Sequence, residues 1–237
     1  MSAVLVDVRG YAKENGITGV NLPLKKLIRA GNIKIPRSTA IFNMSSATDC
    51  ASLKLGKCKA CILSKDLKTL KNVCYAMKAE RSYRPMVLPY RRRQELFWKS
   101  VTAKDFVIQF LVLNAMKRKP FTMIRLNEAG DFHTQACLDK AEKIAELLDG
   151  HDIKVYCYTS RDDLDFSNRK YLKVNRSLNG LKDYEAVNGL TNEFLMITKE
   201  EGKDWKKWPK GYAKCPADCR VCDRCSIEGK KTFIIQH

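Results

Sequence analysis

The sequence lacks any apolar run of the roughly 18 residues that a helix needs to cross a bilayer. Its opening stretch, MSAVLVDVRGYAKENG, is too polar for the apolar part of a secretory leader. No internal repeat and no low-complexity segment is visible. We therefore expect no membrane partner and a cytoplasmic location, which is the host cytoplasm if the protein is viral.

Acidic side chains are scarce, with 26 Asp and Glu against 44 Lys and Arg and a formal net charge of +18. This excess predicts a polyanionic partner such as nucleic acid or a nucleotide, although lysines scattered over an ordinary surface would give the same total. The stretch ERSYRPMVLPYRRRQ interleaves arginines with tyrosines at Arg81, Tyr83, Arg84, Tyr90, Arg91, Arg92 and Arg93. That composition is typical of nucleic-acid contacts, and a solvated helix face is the alternative.

The patterning predicts an α/β fold. Stretches of β-forming residues predict six strands, at residues 39–44, 121–127, 154–159, 171–176, 192–198 and 232–236. Thr102 with Asp105 forms a capping box at the start of one helix, and Thr134 and Gly150 bound another. The apolar face of this second helix is predicted at Cys137, Ala141, Ile144, Ala145 and Leu148.

This order of elements predicts a mostly parallel sheet, either a partial (β/α) barrel or a curved open sheet. We divide the chain of 237 residues into an N-terminal lead-in, residues 1–36, and a single α/β domain, residues 37–237. Two cysteine-rich segments lie in this domain, at residues 50–74 and 215–225.

Histidines number only three, whereas cysteines number ten. In a reducing compartment, clustered thiols indicate metal binding or catalysis rather than disulfides.

The C-terminal segment KCPADCRVCDRC holds four of the cysteines, Cys215, Cys219, Cys222 and Cys225. Their nearly continuous spacing resembles loops that hold iron–sulfur clusters, so we predict a [4Fe–4S] cluster. Zinc is the alternative, although it more often takes two CxxC pairs from separate turns. The first three cysteines also have the radical SAM spacing, but a fourth ligand would close the cluster.

A second set of cysteines lies nearer the N-terminus, at Cys50, Cys58, Cys61 and Cys74. Cys58 and Cys61 form a CxxC pair, so this set is predicted to hold a second metal or to complete the first site. Small buried thiols are the alternative, and for Cys137 and Cys157 core packing is the prediction.

Polar side chains follow three predicted strands, in FNMSSATD, RLNEAGDFHTQ and YCYTSRDDLDF. In a parallel sheet such residues meet at the carboxyl ends of the strands, where ligands bind. The candidate catalytic residues are Arg125, Glu128, Asp131, Ser160 and Arg161. The candidate cofactor-binding residues are Asn43, Ser45, Ser46 and Thr159. These groups suit an anionic or nucleotide-like ligand, and turn formation or helix capping is the alternative. His237 ends the last predicted strand at the same level.

The motifs IFNMSSATDC, VCYAMKAER, RLNEAGDF, KVYCYTSRDDLDF and KCPADCRVCDRC, with the terminal His237, resemble the phage "gene product 88"-like family from residue 37 onward. The resemblance implies a cytosolic protein encoded by a virus or prophage, and no particular reaction. It maps the front motif onto Cys50, Cys58 and Cys74, with Cys61 less typical, and the last motif onto the four C-terminal cysteines.

Two functions follow from these patterns. The first is a viral iron–sulfur protein that acts as a redox or radical-type enzyme on a nucleotide or nucleic acid. The second is a non-catalytic protein, stabilised by zinc or a cluster, that binds nucleic acid or a host factor. The sequence does not decide between them.

Overall fold

The computed structural model describes residues 23–58, 74–179 and 185–235. Within these ranges eight strands form one sheet. Their bounds are β1 Arg29–Ala30, β2 Thr39–Phe42, β3 Met123–Leu126, β4 Lys154–Thr159, β5 Lys173–Asn179, β6 Asn192–Ile197, β7 Ala213–Lys214 and β8 Lys231–Ile235. Six of them overlap the six predicted strands, with bounds that differ by up to three residues. The sequence analysis missed β1 and β7, because two residues are too few to show an alternating pattern.

The strands lie in the order β1-β2-β3-β4-β5-β6-β8-β7. Only the β1–β2 pair is antiparallel among the described strands, and the other pairs are parallel. The predicted mixed α/β fold with a mostly parallel sheet is therefore confirmed. The sheet is open, with β1 and β7 at its two edges, so the described strands do not close into a barrel.

The helices of the described ranges are α1 Ala51–Lys54, α2 Tyr75–Ser82, α3 Arg84–Ser100, α4 Ala103–Ala115, α5 Gln135–Asp149 and α6 Lys199–Lys203. The predicted capping box at the start of α4 is confirmed, with Thr102 Oγ1 accepting from the Asp105 N–H at 3.1 Å. Thr134 caps α5 as predicted, by accepting from the Cys137 N–H at 3.3 Å. Gly150 ends α5 with a φ of −62°, which any residue adopts. None of these helices is both long and apolar enough to cross a membrane.

One face of the sheet, which we call the helical face, packs against α4 and α5. Because strand residues alternate between faces, Ile124, Leu126, Val155 and Cys157 all point to this side. The predicted apolar face of α5 is buried there, at Cys137, Ala141, Ile144, Ala145 and Leu148. Full burial of a large aliphatic side chain contributes about 1.5–3 kcal/mol, so this layer is the main source of stability.

Part of the predicted lead-in also contributes to this core. Leu24 and Leu27 are buried in the same cluster of side chains, and Tyr90 of α3 donates to the Leu27 carbonyl at 2.9 Å. Residues 1–22 lie outside the described ranges.

The opposite side, which we call the second face, presents Arg125, Tyr156 and Tyr158. Residues 215–227, which we call the thiol loop, lie on this face. Two buried asparagines hold the loop there: Asn175 donates to the Cys225 carbonyl and Asn192 to the Ile227 carbonyl, both at 2.8 Å. The fold thus places the C-terminal cysteines against β4 and β5.

Candidate functional site

The buried Asp131 carboxylate joins the carboxyl ends of β3 and β4. Its Oδ2 accepts from Ser52 Oγ at 2.6 Å and from the Ser160 N–H at 2.8 Å. Its Oδ1 accepts from Thr159 Oγ1 at 2.7 Å and from the Phe132 N–H at 2.8 Å. Burial raises the pKa of Asp131, and these four donors oppose that shift by stabilising the charged form. The carboxylate is therefore occupied in holding α1 and the loops after β3 and β4 together.

The Arg161 guanidinium is occupied in the same way. It donates to both carboxylate oxygens of Asp163, at 2.7 and 2.8 Å, and to the Phe132 carbonyl at 2.6 Å. The guanidinium lowers the pKa of Asp163 by this hydrogen bonding. Because Arg161 is 4% exposed, it is a buried structural cation in the described structure.

The polar residues after β2 also bond to their own surroundings. Asn43 donates to Gln94 Oε1 at 3.0 Å and accepts from the Ala129 N–H at 2.8 Å. Ser46 Oγ donates to Asp49 Oδ2 at 2.7 Å. These contacts fix the loop after β2 to α3 and to the loop after β3.

The turn after β3 requires glycine at Gly130. Its φ is +75°, and a Cβ atom there would lie 2.0 Å from Ser45 Oγ and 2.7 Å from the Ser45 carbonyl oxygen. The Ser45 hydroxyl itself is buried and has no partner in the described ranges. The close contact between the loops after β2 and β3 thus explains why glycine occupies this position of the GDF turn.

Sequence analysis missed the acidic residue that ties this region to the helices. Glu80 of α2 is buried and accepts from the Ala47 N–H at 2.6 Å, the Thr48 N–H at 3.0 Å and Arg91 Nη1 of α3 at 2.9 Å. This contact depends on how α2 and α3 pack, which leaves no local pattern in the sequence. We call the hydrogen-bonded groups around Glu80, Asn43, Asp131 and Arg161 the strand-end network.

The strand-end network unites most of the residues predicted to be catalytic or cofactor-binding. Their polar atoms are largely paired with one another and with backbone groups. These residues are buried because their hydrogen bonds hold the loops together. Their catalytic or cofactor-binding roles stay predictions.

Arg125, on the second face, differs from the network. Its Nη2 donates to the Tyr75 hydroxyl at 3.3 Å, and its guanidinium lies 4.9 Å from the centre of the Tyr158 ring. Its Nε is buried without a partner in the described ranges. Among the described ion pairs none includes Arg125, because the nearby Glu128 binds Arg29 instead, at 2.6 Å. In the described ranges Arg125 thus forms no ion pair, although Glu128 still acts on it electrostatically.

The thiol loop brings cysteines towards this guanidinium. Arg125 lies within electrostatic reach of Cys219 and Cys225, and Tyr158 hydrogen-bonds to the Cys225 sulfur. Burial raises the pKa of Cys225 to about 11, the Tyr158 hydrogen bond opposes this shift, and the neighbouring Cys215 and Cys219 add to it. Without a ligand this thiol is therefore protonated at neutral pH.

The four thiols of the loop interact electrostatically with one another. Cys219 is influenced by Cys215 and Cys222, and Cys225 by Cys215 and Cys219. The Ala217 N–H donates to the Cys215 sulfur at 3.4 Å, a contact that stabilises a thiolate. In the ranges that the structure describes, no three His, Cys, Asp or Glu side chains are grouped as ligands of a single metal ion.

The front cysteines lie around α1 and the start of α2. Cys50 and Cys74 each interact electrostatically with Cys58, and burial raises the pKa of both Cys50 and Cys74. Tyr75, the residue after Cys74, contacts Arg125 through its hydroxyl group. The predicted candidates Cys61 and His237 lie outside the described residues.

Sequence analysis also missed the tyrosines of the second face. Tyr156 and Tyr158 stand two residues apart in KVYCYT, on either side of the buried Cys157. That alternation places both tyrosines on the face opposite the core, and it could have predicted their position from the sequence.

Comparison with known proteins gives one match. The model of a family described as gene product 88 matches residues 13–176, a range that contains Arg125, the strand-end network and the front cysteines and ends before the thiol loop. No curated protein and no solved structure matches the chain.

Proposed function

The chain belongs to the gene product 88 family, and we propose that it binds an iron–sulfur cluster of the [4Fe–4S] type through Cys215, Cys219, Cys222 and Cys225. The observation that carries the proposal is the guanidinium of Arg125 beside these thiols, which forms no ion pair in the described ranges. The strand-end network contains ion pairs of its own, such as Glu80 with Arg91.

A half-buried cation that forms no ion pair in the described ranges is costly, because burial removes water and the nearby Glu128 is engaged by Arg29. A cluster held by four thiolates is anionic and would supply the missing charge beside Arg125. The Tyr158 hydroxyl and the Ala217 N–H would then donate to ligand sulfurs, as hydrogen bonds do at such centres.

The spacing of the thiols suits a cluster. The cysteines of the loop interact electrostatically with their neighbours, and their nearly continuous spacing resembles loops that hold iron–sulfur clusters. A four-iron cluster is larger than one zinc ion, so its ligands stand farther apart. Binding would release protons from the thiols, since the metal-bound form is the thiolate.

Such a cluster supplies one-electron chemistry when bound. Arg125 would orient an anionic substrate next to it, and Glu128 would position Arg29 nearby through their ion pair. Both roles fit a redox or radical-type reaction on a nucleotide or nucleic acid. If Cys225 is the fourth ligand, no iron is left open for SAM. Cys50, Cys58 and Cys74 would hold a second metal or extend the same site.

The test is metal analysis of anaerobically purified variants. We expect Cys225→Ala to lose most of its iron and sulfide, because one of four ligands is removed. The matched control is Cys137→Ala, which removes a thiol from the helical face and should retain the iron. Equal iron in the two variants, with circular dichroism showing that both are folded, would refute the proposed ligand set.

A second candidate is a zinc-stabilised protein that binds nucleic acid or a host factor without catalysis. The net charge of +18 favours it. It predicts one zinc without sulfide, together with nucleic-acid binding that weakens steeply with salt. Binding that is independent of salt would count against it.

A further inference from the structure

We infer that a cleft beside Arg125 binds single-stranded nucleic acid. The cleft has a volume of about 480 Å³ and lies between the β1–β2 edge of the sheet and the first half of α3. We call it the arginine cleft, and its charged and aromatic lining comprises Arg29, Tyr90, Arg91, Arg93 and Glu128. The inference rests on the proposed function, because it names where the nucleic-acid substrate of that function would bind.

The position of the cleft places a ligand near the thiol loop. Ile41 of β2 lines the cleft and is the register partner of Arg125 in β3, so both side chains lie on the second face. Glu128 forms part of the wall, and its carbonyl accepts from Tyr75, which also contacts Arg125. A nucleic-acid strand bound in the cleft would therefore lie on the same face of the sheet as the thiol loop, with β3 between them.

One face of α3 has the composition of a stacking platform. Met86, Tyr90 and Arg93 line the cleft at spacings of four and three residues, so they share a side of the helix. Tyr83 is the N-cap residue just before them. Tyr83 is 64% exposed and Met86 is 74% exposed. Rings, thioethers and guanidinium planes stack against bases, and each base stacked on an aromatic ring contributes about 1–3 kcal/mol.

The exposed charges that α2 and α3 themselves contribute to this surface have one sign. The exposed charged residues of α2 and α3 are all basic: Lys78, Arg84, Arg92, Arg93 and Lys99. The two acidic residues of these helices, Glu80 and Glu95, are buried and paired with Arg91 and Lys99. Arg93 has no ion-pair or hydrogen-bond partner in the described ranges, which leaves it available for a phosphate.

The size of the cleft favours an unpaired strand. Its volume is within the range of sites that enclose a small ligand, so it accepts individual bases rather than the width of a duplex. Glu128 limits the affinity, because it neutralises Arg29 at the mouth of the cleft.

The experiment is fluorescence anisotropy with a labelled single-stranded oligonucleotide of about 12 nucleotides, a length that one such site covers. Wild type, Arg93→Gln, Tyr83→Ala and Arg118→Gln are compared over a series of salt concentrations. Arg118 is the matched control, since it is exposed and lies before β3, at the opposite end of the strands. Iron is measured in the same samples.

We expect Arg93→Gln to reduce the slope of log affinity against log salt by about 0.7, the loss of one phosphate contact. Tyr83→Ala should weaken binding about fivefold or more with the slope unchanged, as expected for a lost stacking contact. Arg118→Gln should behave as wild type. Equal effects of Arg93→Gln and Arg118→Gln would overturn the inference, as would equal displacement of the oligonucleotide by duplex DNA or by polyglutamate.

The iron measurement separates this inference from the proposed cluster. Loss of binding in Arg93→Gln with no iron in any sample would support the cleft and refute the cluster. Iron in every sample with no oligonucleotide binding by wild type would refute the cleft and leave the cluster proposal intact.

Discussion

The strand-end network and the second face belong to one sheet, and they differ in whether their charged groups have partners within the protein. In the strand-end network, Asp131 accepts four hydrogen bonds and Glu80 forms a buried ion pair with Arg91. On the second face, Arg125 has a buried Nε without a partner in the described ranges and lies beside Cys219 and Cys225, whose pKa values are raised by burial.

This difference indicates that the network stabilises the fold and that the second face binds a ligand. A buried polar group that the chain itself satisfies has little left to offer a ligand, whereas an unsatisfied one costs stability unless something binds. Variants of the network should therefore unfold the protein more easily, and variants of the second face should change what it binds.

The largest effect on stability is expected from Glu80→Gln. The glutamine side chain has one accepting oxygen, and its NH2 group replaces the other. Either the Thr48 donors or the Arg91 guanidinium would then face this NH2 group. The positive charge of Arg91 would also be left buried without its ion-pair partner. Removing one partner of a buried ion pair costs about 3–5 kcal/mol. Urea unfolding measures this loss. The control is Glu200→Gln, whose exposed pair with Lys203 contributes less than about 1 kcal/mol. Similar values for the two variants would contradict the structural role of the network.

A smaller loss is expected from Asp131→Asn. The amide nitrogen cannot accept from Ser52 or from the Ser160 N–H, so at least one buried donor loses its partner. An unsatisfied buried group costs about 1–3 kcal/mol. Thermal unfolding should show the decrease, while the iron content of the folded protein stays at the wild-type value. If the variant loses iron and keeps its stability, Asp131 belongs to the metal site and not to the network.

The smallest effect on stability, with a large effect on binding, is expected from Arg125→Gln. The metal-free protein should lose little stability, because the relief of a charge with no ion pair in the described ranges offsets the lost contacts with Tyr75 and Tyr158. The anionic cluster would lose its nearest counter-charge, so iron and sulfide should be lost faster in air than from wild type. Arg125→Lys keeps the charge and should recover part of the difference. A strongly destabilised Arg125→Gln would place this residue with the network instead.

Much of the fold was predictable because it depends on local pattern. The six longer strands, the Thr102 capping box and the apolar face of α5 all follow from the spacing of neighbouring residues. β1 and β7 are too short for such a pattern, and Leu24 and Leu27 join the core only through tertiary packing.

The candidate site was predictable only in part. Residue type and strand position brought Asp131, Thr159 and Arg161 to one place, but the sequence does not show that their hydrogen bonds are satisfied by backbone groups. The Glu80–Arg91 ion pair depends on how two helices meet. The isolation of Arg125 depends on Arg29, which lies 99 positions from Glu128 and neutralises it.

The most direct test of the central claim is the iron, acid-labile sulfide and zinc content of wild-type protein purified without oxygen. The account predicts about four irons and about four sulfides per chain, with an absorption band near ~400 nm. One zinc per chain without sulfide, or no bound metal at all, would contradict it.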